Sequence, residues 1–434
     1  MKILYVSQYF PPEMGAPAAR VHELAKHWVR QGHQVTVLTG FPNHPTGIIP
    51  PEYRSKWKRL VCSEQVDGID VIRVWLIPFP NRRTRRRILN YASFWLSSSF
   101  VGTFLSRPDI VIATSPQLLV GLTGWWLGKV KHVPSIFEVR DLWPESLMAV
   151  GISGQRSVLY RALGAVAHFL YRHSDQIVAV TPAFKDYLVA NRDVEEEKIA
   201  VVENGVETEL FSPGKDGAIR QEFGLEGKFV VSYIGTIGMA HGLDTVLKAA
   251  EQFPADSSNV RFLLVGEGAE KEKLRNLAAG RGLKNVLFVD QRPRALMPAC
   301  IRASDACLVL LKKQDIFRTV IPTKLLEFMS CGKPVILGVE GQASEIVESA
   351  KAGLCVEPED ATALAAAINE LASQPALGRS FGNNGRRWIV NHFSRAKTAD
   401  KYLEVIQGLR IPRGPMKAEP FLEDCHSSDN LHTV

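Results

Sequence analysis

The chain has few cysteines, and none of them are spaced as a metal site requires. Its 434 residues include six cysteines, and no two form a C-x-x-C pair. This argues against a zinc site and fits reduced thiols in a cytosolic compartment. The sequence also lacks a cluster of carboxylates that would serve as a metal-ligand set.

Long apolar segments are missing as well. The run Ile3–Phe10 is short and is followed at once by Pro11-Pro12, so we expect a first β-strand that ends in a loop rather than a signal peptide. A second apolar stretch, Ile88–Leu105, is interrupted by Asn90, Ser93 and Ser97–Ser99. That many polar residues argue against a helix that spans a membrane.

Positive charge is in moderate excess. The formal net charge is +7 and the sequence pI is about 9.0, which suits nucleotide phosphates, anionic lipid or nucleic acid. Nucleic acid is the poorest of these candidates, because the sequence has no zinc finger, RNA-binding signature or recognition-helix pattern. Five arginines occupy six positions in Arg82–Arg87, directly before the apolar stretch. This favours a helix that lies on anionic lipid or meets a phosphate-bearing lipid, and a half-buried helix with solvated charges is an equal alternative.

Strand-like and helix-like segments alternate along most of the chain, which is typical of parallel α/β domains. We predict strands in the first half at Ile3–Tyr9, Gln34–Leu38, Val71–Trp75, Ile110–Ala113, Ser135–Val139, Gln176–Val180 and Ile199–Val202. A second set is predicted at Phe229–Ile234, Phe262–Val265, Val286–Phe288, Ala306–Leu310 and Val335–Leu337. Such sheets bind ligands beyond the carboxyl ends of their strands, so two facing sheets imply a cleft between domains.

A turn-rich stretch, Asn204–Gly214, separates the two sets of strands. We therefore expect a first domain at residues 1–205 and a second at 206–385. A C-terminal helix at 386–408 is expected to pack back on the first domain. Residues 409–434 are rich in Pro, Gly, Ser and charge, and we expect them to be disordered.

The segment Ile321–Leu337 has the pattern of a short helix that binds a phosphate. Pro322 suits the first turn of a helix and Gly332 its end. The helix would begin just beyond a strand, where free N–H groups and a partial positive charge attract an anion. Lys324 adds a charge there, and Glu327 is placed to accept hydrogen bonds from a ribose diol. The alternative is a surface helix with an ordinary lysine and glutamate.

These motifs, in this order, resemble a known family over about residues 1–405. They are Tyr9-Phe-Pro-Pro-Glu, Glu138-Val-Arg-Asp-Leu-Trp-Pro-Glu-Ser, Val202-Glu-Asn-Gly-Val, Gly235-Thr-Ile-Gly-Met-Ala-His-Gly-Leu, Val265-Gly-Glu-Gly and the Ile321–Leu337 segment. The chain resembles the retaining glycosyltransferases of the GT-B fold, family 4, and within it the WbuB-like enzymes of bacterial polysaccharide assembly. The resemblance implies an α/β fold of two Rossmann-like domains, an acceptor-binding one followed by one that binds a nucleotide sugar. It implies no metal and no cofactor besides the nucleotide-sugar co-substrate.

The donor residues implied by the resemblance surround the predicted helix and two glycine loops. They are Gly15, Gly235, Thr236, Gly238, His241, Gly266, Arg318, Thr323, Lys324, Leu325 and Glu327. Glu327 matches the family glutamate that binds the donor ribose. A second family glutamate would fall on Thr319, which is not acidic, and Thr236 and His241 replace the usual arginine and lysine.

The resemblance also implies candidates for catalysis and for the acceptor. Asp141 could remove the proton of the acceptor hydroxyl, with Glu138 as the second choice. Arg140 stands where many members have histidine, and it could bind an acceptor phosphate or developing charge. Arg20, Arg82 and Arg83 are the acceptor-binding candidates.

The implied reaction moves a sugar, expected to be an N-acetylated amino sugar, from a UDP-linked donor to a polyprenyl-diphosphate-linked acceptor. It would retain the anomeric configuration and occur at the cytoplasmic face of the cell membrane, where the enzyme would be peripheral. One alternative is a nucleotide-sugar 2-epimerase of the same fold, which needs no acceptor. Another is a non-catalytic scaffold, which would bind no nucleotide sugar.

Overall fold

The computed structural model describes residues 1–409, except residues 14, 45, 81–83, 147–156 and 216. Of the predicted C-terminal tail, only Leu409 falls within this range.

The first domain is built on an eight-stranded sheet with the order β3-β4-β2-β1-β5-β6-β7-β8. Its strands are β1 Lys2–Val6, β2 Gln34–Gly40, β3 Val61–Val66, β4 Ile69–Val74, β5 Ile110–Thr114, β6 Ser135–Val139, β7 Gln176–Ala179 and β8 Ile199–Val201. All neighbours are parallel except β3 and β4, which form an antiparallel hairpin at the edge. The central strands are short apolar runs buried on both faces, as a parallel sheet covered by helices requires.

Six α-helices of the described residues cover this sheet. They are α1 Ala16–Arg30, α2 Pro51–Lys58, α3 Thr84–Phe104, α4 Leu118–Lys131, α5 Val158–His173 and α6 Pro182–Arg192. Trp28 of α1 is fully buried against the sheet, and its ring stacks with Tyr5 at 5.8 Å. The large aromatic area of this contact anchors α1 and thereby the loop that precedes it.

The second domain has a parallel six-stranded sheet with the order β11-β10-β9-β12-β13-β14. Its strands are β9 Phe229–Ile234, β10 Val260–Val265, β11 Val286–Val289, β12 Ala306–Leu310, β13 Val335–Gly338 and β14 Gly353–Cys355. Its helices are α7 Gly217–Glu222, α8 Asp244–Ala250, α9 Lys271–Gly280, α10 Met297–Arg302, α11 Thr323–Ser330, α12 Gln342–Ala350, α13 Ala361–Ser373 and α14 Pro375–His392. The predicted α/β architecture of two Rossmann-like domains is therefore confirmed.

Two edge strands are missing from the sequence prediction. β3 reads Val-Cys-Ser-Glu-Gln-Val, with polar residues that conceal its extended conformation, and β14 is only three residues long. Both lie at sheet edges, where a strand has only one neighbouring strand and its side chains are less completely buried.

The chain crosses between the domains twice, and the two crossings are hydrogen-bonded to each other. The Val206 N–H donates to the Phe393 carbonyl at 2.9 Å, and the Arg395 N–H donates to the Val206 carbonyl at 2.8 Å. The segment predicted as one helix at 386–408 comprises the end of α14 and a separate helix, α15 Arg395–Gly408. α15 packs on α1 of the first domain, where Tyr402 meets Trp28 at 5.4 Å.

The surface of α3 and α4 carries an unusual number of exposed apolar side chains. On α3 they follow one stripe, with Leu96, Phe100 and Phe104 60%, 68% and 67% exposed. Trp126 of α4 is also exposed. Nowhere among the described residues is a helix both long enough and apolar enough to cross a bilayer.

Candidate active site

The candidate donor site lies at the carboxyl ends of the strands of the second sheet. β9 and β10 are followed by Gly235 and Gly266, both with positive φ. A Cβ on Gly266 would lie 1.9 Å from the Gly235 carbonyl oxygen, so a larger residue would collide with the backbone. The two loops therefore meet as bare backbone. The Gly235 and Gly266 N–H groups themselves donate to the Val265 and Val289 carbonyls, so a phosphate bound here would be met by N–H groups further along the loops.

Lys324 in the first turn of α11 points to the loop after β9. Its Nζ donates a hydrogen bond to the Tyr233 hydroxyl at 2.7 Å and lies 3.9 Å from the centre of that ring. A Cβ on Gly235 would be only 2.9 Å from the same Nζ. The structure thus brings together the start of α11, the lysine and the glycine loop, which sequence reasoning placed in one site.

Burial changes the charge of this lysine. Loss of solvation lowers the pKa of Lys324 to about 7, and nearby Glu327 opposes that shift only in part. The Lys324 amine is therefore only partly protonated near neutral pH. A bound anion would restore its charge, because opposite charges favour the protonated form.

The residues beside Lys324 differ in their exposure to a ligand. Thr323 is half-buried at the first position of α11. Leu325 is fully buried in the core, and its N–H already donates to the Pro322 carbonyl at 3.0 Å. The expected donor contact from Leu325 is not supported by this arrangement, since its side chain serves packing.

His241 ends a short 3₁₀ turn, Met239–His241, that follows Gly238. Its Nδ1 lies 3.3 Å from the Leu310 carbonyl, which can only accept, so Nδ1 carries the hydrogen. Burial lowers the pKa of His241 to about 3, with a further contribution from Lys324. The ring is therefore neutral, and its free nitrogen, Nε2, is a hydrogen-bond acceptor rather than a source of positive charge. The side chain of Thr236 is exposed in the same loop.

Glu327 lies one turn along α11 and is paired with an arginine that the sequence analysis did not select. Arg294 Nη1 donates to Glu327 Oε1 at 3.2 Å, and its Nη2 donates to Glu23 of α1. Burial raises the pKa of Glu327, and Arg294 counteracts this. Burial alone would lower the pKa of Arg294, but the two carboxylates raise it above its usual value.

Arg318 and Thr319 lie in a 3₁₀ segment before α11. The Arg318 side chain is 58% exposed, and its Nε is 3.9 Å from Glu340 Oε2. Thr319 binds its own segment through its hydroxyl, and its carbonyl accepts from the Thr181 hydroxyl of the first domain at 2.9 Å. Arg318 is thus open to a ligand, whereas Thr319 joins the two domains.

The first domain contributes the loop before α1. Gly15 precedes that helix with φ +141°, a conformation that favours glycine. Arg20 on α1 is 1% exposed, and all three of its nitrogens donate within the protein, to Glu138 Oε1 at 2.7 and 2.9 Å and to Val202 and Glu203 carbonyls. Arg20 is therefore a structural residue here, contrary to its expected role in acceptor binding.

Glu138 is a poor candidate for the catalytic base. Its carboxylate is fully buried and accepts from Arg20 and from the Tyr5 hydroxyl at 3.0 Å. Burial alone would raise the pKa of Glu138, but Arg20 and Arg140 lower it overall. A carboxylate held in this way stabilises the fold and is not available to a substrate hydroxyl.

Arg140 and Asp141 follow β6. Unlike Glu138, they have side-chain groups that are available to a ligand. The Nε and Nη1 atoms of Arg140 are buried without a hydrogen-bond partner. Burial raises the pKa of Asp141 to about 6, and Arg140 lowers it in part. A buried guanidinium with unused donors next to a weakly acidic carboxyl group suits anion binding and proton removal.

Some residues of the site carry no signal in the sequence, and two predicted residues lie outside the described part of the chain. Arg82 and Arg83 fall outside the described residues. Tyr233 lies within the predicted strand Phe229–Ile234 and has no sequence signal of a site. Arg294 follows the carboxyl end of β11, and this position was the one available signal that it could belong to the site. Within the described part of the chain, no three His, Cys, Asp or Glu side chains are grouped as metal ligands.

Two family models match the chain, one in each domain. The glycosyl transferase 4-like domain matches residues 15–205, and the glycosyl transferases group 1 model matches residues 215–388. Together they cover all strands of both sheets except β1, which precedes residue 15.

Relatives extend over most of the chain. WcaI of Escherichia coli K12, whose name assigns it to colanic acid biosynthesis as a glycosyl transferase, is 25% identical over 86% of this chain and 93% of its own. Sucrose-phosphate synthase of Thermosynechococcus elongatus has a similar structure, with a TM-score of 0.76 and 21% identity over 94% of this chain and 98% of its own. Anabaena HepE, solved in complex with UDP-glucose, has a TM-score of 0.70 and 19% identity over 94% of this chain and all of its own.

Proposed function

This chain is a glycosyltransferase of the GT-B fold, and we propose that it transfers a sugar to a lipid-linked acceptor in cell-surface polysaccharide biosynthesis. The proposed donor is a UDP-linked N-acetylated amino sugar, and the proposed acceptor is a polyprenyl diphosphate that carries the growing glycan. We place the chain in the WbuB-like group of family 4. The name of WcaI supports the polysaccharide assignment, and the UDP-glucose complex of HepE supports a uridine nucleotide.

The observation that carries the proposal is the position of Lys324 against the glycine loop. Its Nζ is next to Gly235, at the start of α11 and at the carboxyl edge of the sheet. A diphosphate bound there would accept hydrogen bonds from N–H groups of the loop and the helix, and it would face the positive charge of protonated Lys324. These groups stabilise the departing diphosphate, so the proposed reaction needs no metal ion.

The proposed chemistry is a displacement with retention. The bond between the anomeric carbon and the phosphate oxygen breaks, and its electron pair leaves with the diphosphate. The acceptor hydroxyl forms the new bond on the same face of the sugar. Its proton passes to the departing phosphate oxygen, with Asp141 as the second candidate base, and the unpartnered Arg140 stabilises the negative charge.

The proposed place of action is the surface of an anionic membrane, which α3 and α4 would contact. From Val71 to Phe137 the sequence has one acidic residue against nine lysines and arginines. The exposed stripe of α3 runs about 22 Å from Leu89 to Phe104. Apolar side chains bordered by cations are the composition of a helix that lies in the lipid headgroups. The membrane is proposed as the inner face of the cell membrane, with the enzyme peripheral to it.

The start of α3 is tied to the cleft, which would bring a membrane-bound acceptor close to the donor. Gln8, just after β1, donates from Nε2 to Asn90 Oδ1 at 2.6 Å, and Asn90 Nδ2 donates to the Ile77 carbonyl at 2.7 Å. Hydrogen bonds therefore join the loop that follows the central strand to the proposed membrane helix.

The experiment that tests the function is incubation with UDP- and GDP-sugars, with and without a short-chain polyprenyl-diphosphate glycan, followed by mass spectrometry. We expect the acceptor to gain one sugar, and Glu327→Ala and Lys324→Ala to abolish transfer while Lys284→Ala, a change at an exposed lysine, does not. An epimerised sugar formed without acceptor would instead identify a 2-epimerase. Failure of every nucleotide sugar to raise the melting temperature would identify a scaffold.

Membrane contact is tested separately by sedimentation with vesicles. The enzyme should bind vesicles that contain phosphatidylglycerol and not pure phosphatidylcholine, and Phe100→Glu with Phe104→Glu should abolish that binding. Val390→Glu on α14 is the matched control, because Val390 is an exposed apolar residue of the other domain. Equal binding by both variants would refute the assignment of this surface.

A further inference from the structure

We propose that Arg294 is a positioning residue, which orients the Glu327 carboxylate for the donor ribose and is itself held by Glu23 from the opposite domain. The inference rests on the proposed function, because it assumes that Glu327 binds a ribose diol. It gives Arg294 and Glu23 a role in nucleotide recognition, although neither residue belongs to a recognised sequence motif.

The contacts form a continuous chain from the donor helix to the crossing between the domains. Glu327 Oε1 accepts from Arg294 Nη1 at 3.2 Å, and Arg294 Nη2 donates to Glu23 Oε1. Glu23 Oε2 accepts from Arg395 Nε at 2.7 Å, and Arg395 Nη2 donates to the Gly205 carbonyl at 2.6 Å. Gly205 and Arg395 are adjacent to the two points at which the chain passes between domains.

Arg294 is fixed from three directions. Glu327 and Glu23 hold two of its nitrogens, and its guanidinium lies 5.1 Å from the centre of the Phe211 ring. A planar guanidinium that is stacked and paired on two sides has little rotational freedom, which a lysine would retain. The carboxylate it contacts is consequently held in one orientation.

The pairing leaves Glu327 able to bind a ligand. Arg294 contacts only Oε1, and the Glu327 side chain remains 17% exposed. The second oxygen can accept hydroxyl groups while the first stays with the arginine. Glu23 is different, since it is 1% exposed and both of its oxygens are paired. It therefore acts as the anchor of the chain of contacts and not as a ligand.

This arrangement makes the ribose contact dependent on the domain interface. Glu23 belongs to α1 of the first domain, whereas Arg294 and Glu327 belong to the second. If the domains separate, Arg294 loses the partner that fixes its orientation and the carboxylate is no longer held by a fixed cation. Recognition of the ribose would then be complete only while the two domains are in contact.

The test compares the affinity for UDP with that for 2′,3′-dideoxy-UDP, measured by calorimetry on the full-length enzyme. The wild type should prefer UDP by about 10- to 100-fold, the usual cost of losing hydrogen bonds to a charged group. Glu327→Gln should reduce this preference. Arg294→Lys and Glu23→Gln should reduce it to about threefold or less while the affinity for the dideoxy nucleotide changes little. Arg292→Lys is the control, because Arg292 pairs with Glu222 in its own domain.

The outcomes separate this inference from the proposed function. An unchanged preference in both Arg294→Lys and Glu23→Gln would overturn the inference, and so would equal weakening of both nucleotides, which would indicate a purely structural role. Each variant is first checked by thermal melting, and Glu23→Gln, which retains hydrogen-bonding capacity, serves if Arg294→Lys does not fold. If the wild type binds neither nucleotide, the assignment of a uridine nucleotide fails instead.

Discussion

Binding of a nucleoside diphosphate should draw a proton from solution, because the free enzyme holds Lys324 partly deprotonated. Burial lowers the pKa of this lysine to about 7 from its usual 10.5. At pH 8 the free amine is therefore only about 10% protonated. If a bound diphosphate restores the usual pKa, binding at pH 8 takes up about 0.9 proton, compared with about 0.5 at pH 7 and about 0.1 at pH 6.

His241, Asp141 and the phosphate of the nucleotide should not obscure this signal at pH 8. The pKa of His241 is lowered to about 3, so it would need a rise of more than four units to contribute. A terminal phosphate with a pKa near 6 is already ionised at pH 8. Asp141, with a pKa raised to about 6, is ionised as well.

The assay is calorimetric titration with UDP in buffers that differ in ionisation enthalpy, since the slope of the observed heat against that enthalpy counts protons. Lys324→Arg is the matched variant, because arginine stays protonated throughout and should bind UDP without uptake. A zero slope for the wild type at pH 8, or the same slope in Lys324→Arg, would refute the reasoning that places Lys324 at the diphosphate.

Three further predictions concern other parts of the site. If Asp141 is the base, kcat/KM should fall as the pH drops below about 6, where its carboxylate becomes protonated, and Asp141→Asn should lower the rate by about 10²- to 10⁴-fold; a flat profile from pH 5 to 7 would exclude that role. Arg20→Met should lower the free energy of unfolding by about 3–5 kcal/mol, measured with denaturant, because it leaves the Glu138 carboxylate buried without its hydrogen-bonded cation, whereas Arg30→Met at an exposed position should change it by less than about 0.5 kcal/mol. Gly266→Ala should reduce UDP affinity and melting temperature because its Cβ would collide with the Gly235 carbonyl, while Gly280→Ala, which meets no atom within 4 Å, should not.

The sequence predicted the fold well because each domain repeats one simple pattern. Short apolar strands followed by helices specify a parallel sheet, and the restart at Phe229 specifies a second one. Lys324 and Glu327 could be selected because helix-start signals at Pro322 place them at the carboxyl edge of that sheet. Their roles as donor ligands remain predictions.

The parts that could not be predicted depend on contacts between distant residues. Glu23 and Arg294 are 271 positions apart, and nothing near either residue indicates the other. In the sequence, Arg20 is a suitable residue type for binding a phosphate. Only the tertiary structure shows that its N–H groups already donate hydrogen bonds to Glu138 and to backbone carbonyls. Whether the hydrogen-bonding groups of a side chain are already paired depends on the folded interior, and it leaves no periodic pattern in the sequence.

The paired crossings at Val206 and Arg395 also affect how the protein can be made. Because α15 returns to the first domain, the second domain is an insertion within the first in the order of synthesis. Trp28 of α1 is synthesised well before its two partners on α15, which are the Tyr402 ring and the Ala399 carbonyl that accepts from the Trp28 indole N–H at 3.1 Å. The inserted domain can complete β9–β14 while that apolar seam is still uncovered, and a nascent chain in this state is open to aggregation and to chaperone binding. Loss of the segment 395–408 would therefore damage the first domain, although the second lies between them in the sequence.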